Sequence, residues 1–326
     1  MKRRYLLFGI IFFLSIVLVT AACQKSEERS AGEKRLVVIT TLFPLYDFAR
    51  NIAGDSATVS LLLPPGVEAH SFEPKAGDMV KINAADIVFY TGKYMEPWAE
   101  NMLRGVDNKN LLVVDTSKGV MLLEGSDGHH HDHDRAGTAK HREAGSDDHG
   151  RIDPHIWLDF ANARKMVDNI VQALVAADPA SKDLYTRNGE IYKAKLDDLD
   201  RRFREELSVC TKRVFIHGGH SAFNYLAKRY NLQYVSAYHG SPDSEPTPKQ
   251  LIALKKTLQE QGVRFVYYEE LITPRVSDIL ARETGAKSLK LHGAHNVTRE
   301  EFAKGISFLS IMEENLANLK VGLECR

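Results

Sequence analysis

Residues 181–208 read SKDLYTRNGEIYKAKLDDLDRRFREELS, a heavily charged run in which Tyr185, Tyr192, Leu196, Leu199, Phe203 and Leu207 recur at intervals of seven, four, three, four and four. These intervals form one apolar stripe of 3.6-residue period, and they predict a single long helix from about Ser181 to Ser208. At 1.5 Å per residue it would extend roughly 40 Å, enough to run past both halves of a two-domain protein. The stretch therefore reads as a spine, with the rest of the chain arranged on either side of it.

On the N-terminal side, β-branched runs alternate with helical spacing. Strands are expected at Leu36 to Thr40, Ala57 to Leu63, Ile87 to Tyr90 and Leu111 to Val114, and helices at Pro44 to Ile52, Ala76 to Asn83 and Pro97 to Leu103. A helix from Ala161 to Ala176 leads into the spine. Beyond it the rhythm restarts, with strands at Arg213 to His217, Gln233 to Tyr238, Arg264 to Glu269 and Ser288 to Leu291. Helices are expected at Ser221 to Tyr230, Pro248 to Gln261 and Thr273 to Thr284, and a last one from Thr298 to Val321, opened by a capping box. Strand–helix alternation implies parallel sheets, so the fold class is α/β, with two lobes, each a parallel sheet flanked by helices, joined by a long rigid backbone helix.

The chain has 326 residues with 43 basic and 43 acidic side chains, a balance that removes any global electrostatic case for a nucleic-acid partner. Lys2, Arg3 and Arg4 precede an apolar run from Tyr5 to Val19 and then Thr20-Ala21-Ala22-Cys23. The basic flank, short core and small residues predict a secretory signal over 1–22. The Cys directly after the small pair resembles a bacterial lipoprotein signal, with lipid carried on Cys23; an ordinary signal peptide and an uncleaved anchor are the alternatives. Residues 23–33 read as a tether, which places the working protein extracytoplasmically, in the periplasm or at the cell surface. Cys210 and Cys325 then sit in a compartment that permits a disulfide, and either pair or remain unlinked thiols.

Six of the thirteen histidines, His129, His130, His131, His133, His141 and His149, fall within 127–150 among Gly, Ser, Asp and Arg. That composition buries too little to fold on its own and predicts a loop, either handling divalent metal or serving as a solvated, acid-titrating linker. It empties into Asp153-Pro154-His155-Ile156-Trp157-Leu158-Asp159, where a single histidine stands against an apolar run. Ligands of open parallel sheets lie beyond the carboxyl ends of the strands. His70, His220, His292 and His295 all fall in such places, and His155 can join them. Any one of these is more often a hydrogen-bonding residue than a ligand; their convergence on one sheet edge from several loops suits a zinc site, which needs about four donors. His217 is a candidate to line the cleft or support a ligand from behind, and Glu269 and Glu270 could offer oxygen but read first as salt-bridge or helix-start charges. His239 reads as local, and Trp98 and Trp157 as core or cleft wall. Helix-borne H-E-x-x-H, G-x-S-x-G, Walker and G-x-G-x-x-G patterns are absent, so no enzyme is expected.

From about Leu36 to Leu323 the chain is similar to the extracytoplasmic metal-binding proteins of ABC transporters for zinc and manganese, the helical-backbone receptors of cluster A-I. The resemblance rests on Pro65-Gly66-Val67-Glu68-Ala69-His70-Ser71-Phe72-Glu73-Pro74, on Asp153 to Asp159, and on His220-Ser221-Ala222-Phe223-Asn224-Tyr225-Leu226. It implies ligands at His70, His155 and His220. The fourth position varies among relatives and is often a carboxylate; here the loop reads Leu291-His292-Gly293-Ala294-His295-Asn296, so His295 is expected and His292 is the alternative. An all-imidazole set suits Zn²⁺ better than Mn²⁺, and relatives with a His-rich loop before the second ligand are typically zinc proteins.

The resemblance further implies lobes at 34–178 and 210–326 joined by 179–209, capture of Zn²⁺ between them, and delivery to an ABC permease with its cytosolic ATPase. The loop histidines would be accessory sites, and the protein is expected to act as a monomer. A receptor for Mn²⁺ or another divalent transition metal on the same scaffold, or a metal-dependent surface adhesin, are the alternatives.

Overall fold

The computed structural model describes residues 35–124, 152–238, 246–271 and 273–326. The signal and tether, Cys23, the six histidines of 127–150 and His239 lie outside the described residues.

The first half runs β1 (Leu36–Thr40), α1 (Phe43–Ala53), β2 (Ala57–Leu61), α2 (Ala76–Asn83), β3 (Ile87–Tyr90), α3 (Ala99–Arg104) and β4 (Leu112–Asp115). A 3₁₀ turn, Ile156–Leu158, precedes α4 (Phe160–Ala177), whose start is capped by Asp159 accepting from the N–H groups of Ala161 and Asn162. The spine is α5 (Lys182–Ser208). The second half runs β5 (Val214–His220), α6 (Asn224–Arg229), β6 (Gln233–Tyr238), α7 (Pro248–Glu260), β7 (Phe265–Tyr268), α8 (Arg275–Thr284) and β8 (Lys287–Lys290), then α9 (Arg299–Ala303) and α10 (Phe308–Gly322). Both sheets are parallel and share one topology, β2-β1-β3-β4 in the first and β6-β5-β7-β8 in the second.

Three expected elements differ by three residues or more. The last helix is broken into α9 and α10, because Gly305 turns the chain through φ 71° and Ser307 starts a new capping box with Ser310. A periodic pattern spanning two helices on one core face looks like one helix. The strand expected to stop at His217 continues to His220, with a register shift between them at Gly218 and Gly219, and α6 starts at Asn224 instead of Ser221. His220 is thus the last residue of a central strand.

Alternate residues of the central strands feed different cores. Val38, Ile87, Phe89, Phe215 and Tyr267 face one continuous apolar core that also takes α1, α4, the spine and α10, whereas Ile39 and Val88 on one sheet and Ile216 and Val266 on the other face separate outer cores. Strand side chains alternate between faces, so each sheet has one private and one shared side. A shared, close-packed core couples the halves rigidly.

The spine buries Tyr185, Gly189, Tyr192, Leu196, Leu199, Phe203 and Leu207. Gly189 fills the seven-residue gap in the apolar stripe: a Cβ there would stand 2.5 Å from Val171 Cγ2 on α4. Buried Asp47 on α1 accepts from Tyr192 Oη at 2.8 Å and from the N–H of Phe308 at 3.1 Å, joining three helices at one carboxylate. A Cys210–Cys325 disulfide closes the far end, linking the exit of the spine to the C-terminal segment.

Candidate metal centre

His70, His155 and His220 meet where the two sheets present their carboxyl edges, each offering one ring nitrogen, and these nitrogens all lie within 4.8 Å of one another. His155 Nε2 is 3.2 Å from His70 Nε2 and 3.2 Å from His220 Nε2. His70 comes from the loop after β2, His155 from the turn before α4, and His220 from the end of β5, next to β7 where the strand order reverses direction. Crevices at such reversals are the usual ligand positions of parallel sheets.

Carboxylates set which nitrogen faces the centre. Asp153 Oδ1 accepts from both the main-chain N–H of His155 at 2.9 Å and its Nδ1 at 2.8 Å. Glu269, at the exit of β7, places Oε2 2.8 Å from His220 Nδ1, close though out of line for an ideal hydrogen bond, while Oε1 accepts from the His220 main-chain N–H at 3.1 Å. Burial alone would raise Glu269, but the imidazoles of His220 and His217 outweigh it and hold the carboxyl at about 2. A carboxylate thus stands at the Nδ1 side of both rings, and both Nε2 atoms face the centre. Burial keeps His155 below its ordinary pKa in spite of Asp153. Burial, then repulsion from His155, His220 and His295, pushes His70 well below its own. Neutral imidazole is the form that binds metal.

His295 stands beside the three, its ring centroid 6.1 Å from that of His70 and 6.3 Å from that of His220. Its Nε2 faces Glu68 Oε2 at 3.5 Å and its Nδ1 faces Glu270 Oε1 at 3.9 Å. Burial works against its charged form, but Glu68, with Glu270 and Glu269 behind it, prevails and holds it up at about 9. The preceding Ala294 lies in the left-handed region at φ 60°, a strained position for a residue with a Cβ that aims the next side chain into the cluster. Glu68 also accepts the main-chain N–H of His70 at 3.1 Å.

The other two candidates point elsewhere. His292 is fully buried; its Nδ1 accepts the N–H of Ala294 at 2.9 Å and its Nε2 looks toward Glu301 at 3.7 Å. His217 lies under the site, its Nδ1 accepting from Gly219 at 3.2 Å and its ring edge-on to Phe223, and burial drives it down to about 4. Trp157 is a wall residue, its Nε1 donating to the carbonyl of Gly293 at 2.8 Å.

Sequence reading did not single out Asp153, Glu68, Asn224 or Tyr225. For Asp153 the signal was present: an acidic residue two positions before an isolated histidine can reach back to its ring. Glu269, read first as a salt-bridge or helix-start charge, stands 2.8 Å from the ring of His220.

Proteins of similar sequence and fold include zinc-uptake and zinc-binding proteins. A sequence profile described as zinc-uptake complex component A, periplasmic, matches residues 38–322. The high-affinity zinc uptake system protein ZnuA of Bacillus subtilis is 37% identical over 318 residues, 97% of this chain and 97% of that protein. The zinc-binding lipoprotein AdcA of Streptococcus pneumoniae is 33% identical over 98% of this chain, which spans 61% of AdcA's length. The Zn(II)-bound ZnuA-like domain of the same AdcA superposes with a TM-score of 0.74 at 32% identity, covering 89% of this chain and all of that domain (100%).

Proposed function

The chain belongs to the family of periplasmic component A of zinc-uptake complexes, and on that premise we propose that it is the extracytoplasmic solute-binding component of an ABC transporter, capturing Zn²⁺ between its two lobes and delivering it to a membrane permease. The observation that carries this reading is the approach of His155 Nε2 to His70 and His220 Nε2 at 3.2 Å, with a carboxylate at the Nδ1 side of two of the three rings.

His70, His155 and His220 are the first three ligands in this reading, and His295 the fourth, released from Glu68 when it gives up its proton. Four imidazoles at about 2.0 to 2.1 Å suit tetrahedral zinc, while manganese favours oxygen. Asp153 and Glu269 offset part of the ion's charge and hold their rings in register. Because the lobes share a core, loading moves loops and side chains and not whole domains. Cys23 carries the lipid anchor, the permease works with a cytosolic ATPase, and the histidines of 127–150 act as weaker accessory donors.

The test is calorimetric titration of the metal-stripped protein with Zn²⁺ and with Mn²⁺. One tight zinc site is expected, strongly weakened by His155→Ala; a preference for Mn²⁺ would sink the zinc assignment.

A further inference from the structure

Asp153 belongs to the first half of the chain, yet two of its hydrogen bonds are supplied by the second. Its Oδ1 is taken up by His155, and its Oδ2 accepts from Asn224 Nδ2 at 2.9 Å. Asn224 is in turn braced by Ser221 Oγ at 3.0 Å, one residue after His220. The main-chain carbonyl of Asp153 accepts from the hydroxyl of Tyr225 at 3.0 Å. That same hydroxyl oxygen accepts from the N–H of Leu123 at 2.9 Å, and the Leu123 carbonyl accepts from the N–H of Asp153 at 2.9 Å. Three residues thus close a ring of hydrogen bonds around the peptide that carries the carboxylate.

We infer that Asn224 and Tyr225 are positioning residues for zinc capture, fixing the His155 imidazole of one lobe from the helix that follows His220 in the other. The inference rests on the reading of His155 as a zinc ligand. Its physical basis is that a carboxylate holding a ring through one oxygen can still swing about its own side-chain bonds; engaging the second oxygen and the backbone carbonyl removes that freedom. Asn224 and Tyr225 lie four and five residues beyond His220 and open α6, so one short fragment bears His220 at its start and, through Asp153, sets His155. The 3.2 Å separation of the two Nε2 atoms then depends on this fragment. Tyr225 is 2% exposed, so without its hydroxyl the Leu123 N–H and the Asp153 carbonyl lose their partner in a buried place.

The test is a pair of double-mutant cycles in the full chain, Tyr225→Phe and Asn224→Leu, each alone and with His155→Ala. Zinc affinity is read by competition with a chromophoric chelator, and site geometry by the ligand-field spectrum of the Co²⁺-loaded protein. Each single variant is expected to weaken zinc about tenfold, the lower end of what outer partners of a metal-binding histidine contribute, and to change the Co²⁺ spectrum. In the His155→Ala background either change should be nearly silent, because its route to the metal is gone. Wild-type zinc affinity and an unchanged Co²⁺ spectrum in both single variants would overturn the inference, as would an undiminished loss in the His155→Ala background. Wild-type affinity in His155→Ala itself would instead remove the ligand reading on which it rests. Asn224→Leu, at a partly exposed position, keeps the test decisive if Tyr225→Phe fails to fold.

Discussion

His155 Nε2 and His220 Nε2 stand 3.2 Å apart across the junction of the two halves, each with its other ring nitrogen committed to a carboxylate. The structure thus brings two imidazole nitrogens close together at a buried position, an arrangement that a divalent cation can convert into ligation.

Removing a ligand should therefore do more than removing a support. Alanine at His70, His155 or His220 is expected to weaken zinc by more than the roughly 10- to 100-fold typical of outer partners. Chelator competition on each variant measures this. His292→Ala and His217→Ala, whose ring nitrogens are not among those that meet at the centre, should each lower zinc affinity far less.

Asp153→Ala removes the acceptor of the His155 ring and Glu269→Gln removes the negative charge beside the His220 ring, and each should cost about 10- to 100-fold in zinc affinity. Competition titrations check the size. A cobalt-loaded Glu269→Gln protein with the wild-type spectrum would mean that Glu269 does not orient His220.

His295 holds its proton up to about pH 9 in the metal-free state, so at pH 7.5 zinc must displace it. Calorimetry in buffers of different ionisation enthalpy should count about one proton released per zinc. Most of that release should vanish in His295→Ala; if it persists, His295 is not the fourth ligand.

The same groups shape stability without metal. His295 binds its proton more tightly folded than unfolded, so its contribution is complete below pH 6.5 and is lost as the pH climbs through about 9. His217, lowered by burial to about 4, works in the opposite direction: its contribution is complete above pH 6.5 and is lost as the pH falls through 4. Thermal melts of the stripped protein should peak near pH 6.5, and His295→Ala should flatten only the alkaline limb.

Deleting residues 127–150 should leave one tight zinc site and remove weaker ones. Glu124 and Ile152 pair as an antiparallel bridge, and Leu123 with Asp153 closes the stem beneath it, so a short turn can join the ends. Titration of the deleted protein decides the point, and loss of the tight site would assign it to the deleted residues.

Gly189→Ala should destabilise the protein by about 1–3 kcal/mol, the range for overpacking a close-packed core. The added Cβ would meet Val171, whose branched side chain has little rotamer freedom on a helix. Denaturant unfolding of the metal-free form measures it.

The sequence alone determined what depends on neighbours along the chain. Strand–helix alternation, the 3.6-residue stripe of the spine and the placing of His70, His155 and His220 near strand ends or a helix start were legible because each is written within about thirty residues. The gap at Gly189 was legible as a gap, but its reason, a helix packed within a methyl group's reach, was not. Tertiary structure alone decided which nitrogens face inward, since Glu269 reaches His220 across 49 residues and Asn224 reaches Asp153 across 71. It also separated His295 from His292: three residues apart in one loop, they diverge because Ala294 takes a left-handed turn between them and sends one ring toward the cluster and the other toward Glu301. Local pattern specifies elements, whereas side-chain direction at a junction of several loops is settled by partners that only folding brings within hydrogen-bonding distance.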